Sequence, residues 1–164
     1  MALTDAPTES PLVADGSSMG GWIALHLALR RPERVRALVG VAAAPDFTEW
    51  GFSAEEKERI VADGRLEQPN PYAPEPFVTT RGFWESGESL KLLDAPIAID
   101  CPVRLVHGDA DAGGPVAVAL RLVRRLRPAD VQLLVLKGGG HRLSEPNEIA
   151  AIERAVAPLL EQCP

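Results

Sequence analysis

Residues 11–31 read PLVADGSSMGGWIALHLALRR, and their pattern decides the fold. An apolar start, Pro11-Leu12-Val13-Ala14, leads into the small residues Gly16-Ser17-Ser18, after which residues 19–29 are apolar nearly all round. That succession predicts a buried strand, a sharp turn and a buried helix. Arg30 and Arg31 suit the negative C-terminal end of such a helix, and Pro32, which lacks an N–H, stops it. Residues 35–44 (VRALVGVAAA) then run apolar without alternation, as a strand does when helices cover both faces of its sheet. A parallel sheet is implied.

Beyond this core the character changes. Residues 45–100 mix aromatics, prolines and acids, and read as an insertion with one clear helix over 54–62, opened by a Ser53/Glu56 capping box and ended at Gly64. Residues 102–107 (PVRLVH) return to a buried strand, 115–126 form an amphipathic helix, and 131–136 (VQLLVL) form another buried strand before Gly138-Gly139-Gly140. A last helix starts near Ser144 with Pro146 in its first turn, and Pro158 bends or ends it. No internal repeat or low-complexity tract is present. The order strand, helix, strand, insertion, strand, helix, strand, helix predicts an α/β fold with its ligand site beyond the carboxyl ends of the strands.

Composition narrows the functions. A chain of 164 residues, 46% hydrophobic and 24% charged, fits one ordinary domain. The net charge of −6 offers no broad positive field, and Arg30-Arg31 and Arg124-Arg125 read as solvated helix ends, so nucleic acid is not an expected partner. Cys101 and Cys163, the two cysteines, lie far apart and read as reduced thiols. Residues 1–15 (MALTDAPTESPLVAD) lack the basic start and apolar stretch of a secretion signal, and no run of about 18 apolar residues spans a bilayer. The expectation is a cytoplasmic protein without a membrane span.

Gly16-Ser17-Ser18-Met19-Gly20 matches G-x-S-x-G between a predicted strand and a predicted helix. A strand reversing into a helix holds its apex residue in a strained conformation, and side chains larger than glycine on either side would clash. Ser18 becomes the candidate nucleophile, and the backbone N–H of Met19 a candidate donor to an oxyanion. A bare Gly/Ser turn is the alternative. Asp111, in His107-Gly108-Asp109-Ala110-Asp111 past the third strand, is the candidate acid that orients an imidazole and stabilises its protonated form. Asp109 competes with it but suits a turn, where aspartate bonds its own backbone. His141, behind three glycines, is the candidate general base; a surface loop histidine is the bland reading, but the chain order Ser, Asp, His belongs to a recognised catalytic pattern. His26 reads as a packed or partly exposed structural residue and His107 as a turn residue. Three scattered histidines and two distant cysteines give no metal-ligand spacing.

With these residues in place the sequence resembles the α/β-hydrolase superfamily, and more narrowly its acyl-protein thioesterase and acyl-glucuronide esterase group with the related bacterial hydrolases. Residues 16–47 (GSSMGGWIALHLALRRPERVRALVGVAAAPDF), 100–111 (DCPVRLVHGDAD) and 141–146 (HRLSEP) carry the resemblance. It implies a partial α/β-hydrolase fold, a mainly parallel sheet flanked by helices, with Ser18 on the nucleophile, Asp111 on the acid and His141 on the base. Such enzymes use no cofactor; water is the second substrate, and a small-molecule or acyl-protein ester or thioester is the first. Residues 45–100 correspond to a cap in which Trp50, Phe52, Phe77, Phe83 and Trp84 line an apolar tunnel or, alternatively, pack the cap onto the body.

The resemblance has a large gap. In that superfamily several strands, a helix and the oxyanion loop precede the nucleophile strand, whereas eleven residues precede Leu12 here. The second oxyanion donor is then absent, at a typical cost of about 10²–10³ in turnover. The Ser18 strand becomes a sheet edge open to homodimerisation, and faces meant for a missing helix stay apolar. Asp15 also stands just before the elbow, where an apolar strand residue is expected. The first functional reading is a serine hydrolase of esters or thioesters. A catalytically weak half-domain that associates through its open edge is the second, and a peptidase on the same scaffold the third.

Overall fold

The computed structural model describes residues 11–70 and 73–161. The reading of residues 1–10 and of Cys163 lies outside them. Residues up to Pro45 together with those from Ala95 onward form one compact unit, and Asp46–Asp94 form a second. Residues 95–100 thus fall in the first unit, where Ile97 and Ile99 are buried.

The first unit is built on four parallel strands in the order β1 (Leu12–Ser17), β2 (Val35–Val41), β5 (Val103–Gly108) and β6 (Val131–Leu136). Between β1 and β2 runs α1 (Met19–Arg30), which buries Gly21, Trp22, Ala24, Leu25 and Ala28. Between β5 and β6 runs α5 (Val116–Arg125), which buries Val118, Ala119 and Leu122. Right-handed crossovers, the rule for parallel strands, carry both helices to one face of the sheet. On the other face α6 (Pro146–Glu161) lays Leu159 against Ala37 and Val39, with Val13, Val41 and Val156 around them. Pro146 opens α6 as expected, and the helix continues through Pro158 to Glu161.

β2 and β5 are buried nearly throughout, as unbroken apolar runs require. β6 departs from expectation. Its VQLLVL run is half-exposed, with Leu134 and Val135 open to solvent, because it is an edge strand and a groove of about 420 Å³ lies beside α6 over its Leu134 and Leu136. At the other edge, among the described residues β1 pairs with β2 alone. Val13, Asp15 and Ser17 of β1 face a second groove, of about 700 Å³, bounded by Val39, Val41 and the α6 residues Ile152, Val156 and Leu160. Asp15 lines this groove and is itself exposed to solvent, which accounts for a charge where an apolar residue was expected.

The second unit holds the expected helix, α3 (Ala54–Asp63), with its Ser53/Glu56 capping box and Gly64 in the left-handed conformation at its end. It also holds elements the sequence did not announce: α2 (Phe47–Trp50), α4 (Arg81–Glu88), and an antiparallel pair, β3 (Arg65–Gln68) with β4 (Phe77–Thr80). These strands are four residues long, and each buries a single side chain, Leu66 and Thr79. So short an alternation leaves little pattern to read. Asp46 is fully buried and accepts hydrogen bonds from the N–H groups of Leu92 and Leu93 at 2.9 and 2.8 Å, tying the two ends of the unit together. No described helix is long and apolar enough to cross a membrane.

Candidate active site

The site lies at the carboxyl ends of β1, β5 and β6, all in the first unit. β1 ends at Ser17 and α1 begins at Met19, so Ser18 alone makes the reversal. Its backbone sits at φ 53°, ψ −123°, a region that a residue with a side chain adopts only under strain of about 1–3 kcal/mol. The surroundings hold it there. Ser18 N–H donates to Val41 O at 3.0 Å, and its carbonyl accepts from Gly21 N and Ala44 N, each at 3.0 Å. Gly16 is required for a steric reason: a Cβ there would stand 2.2 Å from the Gly20 carbonyl oxygen. With the bend fixed, the Ser18 hydroxyl is part-buried and the Met19 N–H belongs to the first turn of α1, whose amides have no partner within the helix.

His141 faces that hydroxyl. Its Nε2 lies 2.9 Å from Ser18 Oγ, and its Nδ1 lies 2.8 Å from Asp111 Oδ2. An ionised carboxylate only accepts, so Nδ1 carries the proton and Nε2 presents its lone pair to the hydroxyl. Asp111 itself is buried, and its other oxygen, Oδ1, accepts from Gly113 N at 2.8 Å and Gly114 N at 2.9 Å. The three residues singled out from the sequence are therefore brought into one hydrogen-bonded line.

The acid and histidine loops are stitched to each other. Ala110 N donates to Gly139 O at 3.0 Å, Asp109 N to Leu136 O at 3.1 Å, and Gly138 N to Asp109 Oδ1 at 2.5 Å. Asp109 is thus the turn residue it was read as, and it fastens the glycine run ahead of His141. A Cβ on Gly108 would stand 2.1 Å from Gly139 O, so the two loops meet backbone to backbone. Leu143, left-handed at φ 44° and buried, anchors the far side of the histidine loop against Ala42 and Val106.

Two histidines outside the line separate. His26 is part-buried beside Trp22, ring centroids 6.0 Å apart, in keeping with a structural role. His107 corrects the reading as a turn residue: it is the fifth residue of β5, 1% exposed, with Nε2 2.8 Å from Gly114 O and 3.4 Å from Asp111 Oδ2. Interior strand position overrode the neighbouring glycine. Sequence reasoning also passed over Leu143, an apolar residue two places beyond a candidate base.

The aromatics proposed for a tunnel all lie in the second unit. Phe52 and Phe83 pack on Phe47, centroids 6.2 and 6.0 Å apart, and the Trp84 indole donates to Thr48 O at 3.1 Å. Trp50 is part-buried at the end of α2, while Phe77 and Phe83 remain exposed.

A family model described as the prolyl oligopeptidase family matches residues 4–163. The chain belongs to that family. It is 31% identical to the mitochondrial palmitoyl-protein thioesterase ABHD10 of Homo sapiens and 34% identical to that of Mus musculus, over 99% of this chain and 54% and 56% of theirs. The chain spans about half the length of these relatives. Among solved structures, alpha/beta hydrolase domain-containing protein 10 from mouse matches with a TM-score of 0.84 at 33% identity, covering 96% of this chain and 65% of that one. A protein of Agrobacterium vitis S4 matches with a TM-score of 0.82 at 36% identity, covering 90% and 60%. The resemblance read from the sequence holds: the fold is a partial α/β-hydrolase, and the chain is homologous to hydrolases of the thioesterase and esterase kind.

Proposed function

We propose that this chain is a serine hydrolase that cleaves carboxylic ester or thioester bonds through an acyl-enzyme on Ser18. The observation that carries the reading is the continuous line Asp111 Oδ2, His141 Nδ1, His141 Nε2, Ser18 Oγ, with steps of 2.8 and 2.9 Å across its two hydrogen bonds. His141 takes the hydroxyl proton as Ser18 Oγ attacks the acyl carbonyl, and Asp111 stabilises the imidazolium without becoming protonated. The oxyanion of the tetrahedral intermediate is met by the Met19 N–H at the positive end of α1. Collapse expels the alcohol or thiol, which receives the proton from His141, and water attacks the acyl-Ser18 ester by the same route in reverse. An acyl substrate is supported by the thioesterase relatives.

A fluorophosphonate probe tests this directly. Peptide mapping should find the adduct on Ser18, with none on Ser18→Ala; folded protein that resists the probe contradicts the reading. Acyl p-nitrophenyl esters, acyl thioesters and a prolyl-peptide amide, run side by side, then rank the leaving groups, the amide being included because the matched family model is a prolyl oligopeptidase one.

A half-domain that associates with a second copy is the second reading, favoured by the position of β1 at the sheet edge next to the 700 Å³ groove. Sizing chromatography with light scattering decides it: a monomer at all concentrations that binds no apolar dye rules it out.

A further inference from the structure

His107 has no part in the proton transfer just described, yet it is among the most buried polar side chains of the described residues. It precedes Asp111 by four residues, and its Nε2 is 2.8 Å from Gly114 O. A carbonyl oxygen only accepts, so Nε2 carries a proton and donates to it. Gly114 is itself buried, and its N–H donates to Asp111 Oδ1 at 2.9 Å. One residue of the acid loop is therefore gripped at both backbone groups, by His107 on its carbonyl and by Asp111 on its amide. The same His107 N–H stands 3.4 Å from Asp111 Oδ2, longer than the 2.8 Å bond from His141 Nδ1 to that oxygen.

Resting on the serine-hydrolase reading above, we propose that His107 is a positioning residue that holds the 111–114 loop so that Asp111 Oδ2 is reserved for His141. Its hydrogen is committed to the Gly114 carbonyl, so it buttresses the carboxylate without taking the place of the His141 imidazole. Without that donor the Gly114 carbonyl is buried and unpaired, a costly state the loop relieves by shifting. Asp111 moves with it, because both N–H groups on Oδ1 belong to the same loop. A displacement of about 1 Å in a catalytic relay costs on the order of 10²-fold in rate.

The test compares three variants. His107→Gln places an amide N–H where Nε2–H stood, His107→Asn carries a shorter amide that cannot reach Gly114 O, and His107→Leu fills the volume without a donor. Two readouts are taken on each: the second-order rate of fluorophosphonate labelling at Ser18, and the ¹⁵N shifts of the His141 ring, which report which nitrogen holds the proton. The expected result is labelling slowed about 10²-fold in His107→Leu and His107→Asn but within about tenfold of wild type in His107→Gln. The His141 ring should be Nδ1-protonated in wild type and His107→Gln, and mixed in the other two. Equal rates and equal ring shifts in His107→Gln and His107→Asn overturn the proposal even if His107→Leu does not fold, because they leave only a packing role. Should wild type not label at all, the hydrolase reading fails by itself, and the ring shifts still decide: an Nδ1–H preference that is insensitive to His107, or absent in wild type, overturns the positioning role.

Discussion

Two margins of the same four-stranded sheet are treated in opposite ways. At the ends of β5 and β6 the acid and histidine loops are locked by backbone bonds from Ala110 and Asp109, by the Asp109 carboxylate on Gly138, and by a glycine contact that leaves no room for a methyl group. Along β1 the Ser18 bend is equally well tied to Val41 and Ala44, but among the described residues the strand beneath it pairs on one side only, with β2, beside an apolar groove. The lesson is that a three-residue relay is set by short-range contacts at strand ends, whereas the security of the sheet that carries it is a matter of lateral neighbours. Geometry and stability are therefore separable here, and substitutions should separate them.

The largest expected effect is on chemistry alone. Asp111→Asn keeps the shape of the acid but offers an amide to His141 Nδ1, favouring the wrong tautomer, and should slow labelling of Ser18 by about 10⁴-fold with little change in melting temperature. Gly108→Val attacks the locked margin instead. Its Cβ meets the Gly139 carbonyl, so the loops must separate, and denaturant unfolding should show a loss of about 3 kcal/mol together with loss of labelling. If stability survives, the two loops are less tightly joined than their contacts imply.

The open margin should respond in the reverse sense. Leu160, 57% exposed on the wall of the groove, can be changed to lysine at a cost under about 0.5 kcal/mol. Leu160→Lys is expected to lower apolar-dye binding and any self-association while leaving labelling intact; a large loss of stability would show that the groove is filled in solution. The smallest effect concerns β6. The hydrogen bond from the buried Arg104 guanidinium to Asp130, at 2.8 Å, holds the Asp130 carboxyl below its usual range. A lowered folded-state value means that its contribution is present at neutral pH and fades on acidification, beginning near the unfolded value of about 3.9 and ending below the folded one. The stability difference between wild type and Asp130→Asn, measured by denaturation from pH 7 down to pH 2, should shrink towards zero in that acid window. A difference that stays constant, or grows in acid, refutes the pairing.

Much of the site could be read without coordinates. Gly16 and Ser18 announce the bend because a side chain at Gly16 would collide with the Gly20 carbonyl, whereas Gly20, expected to be glycine for the same reason, has open space at its own Cβ position; Asp111 and His141 follow at the ends of apolar runs in the expected order. The failures share a cause. VQLLVL looked buried because hydrophobicity does not say whether a strand will sit at an edge. His107 looked like a turn residue because Gly108 follows it, yet the strand continues through both. The β3–β4 pair escaped notice because each strand buries one side chain. Tunnel or packing roles for Trp50, Phe52, Phe83 and Trp84 were equally open from sequence, and within their own unit Phe52 and Phe83 pack on Phe47 while Trp84 bonds to Thr48.

By itself the sequence determined the alternation of strands and helices, the bend at Ser18 and the identity of the three side chains, since these follow from local sterics and from the periodicity of apolar residues. Tertiary structure alone decided which strands lie at the edges among the described residues, at what distances Ser18, His141 and Asp111 meet, and what stands behind the acid. Those outcomes depend on contacts between residues as far apart as 18 and 141, and no local pattern encodes a distance across a sheet.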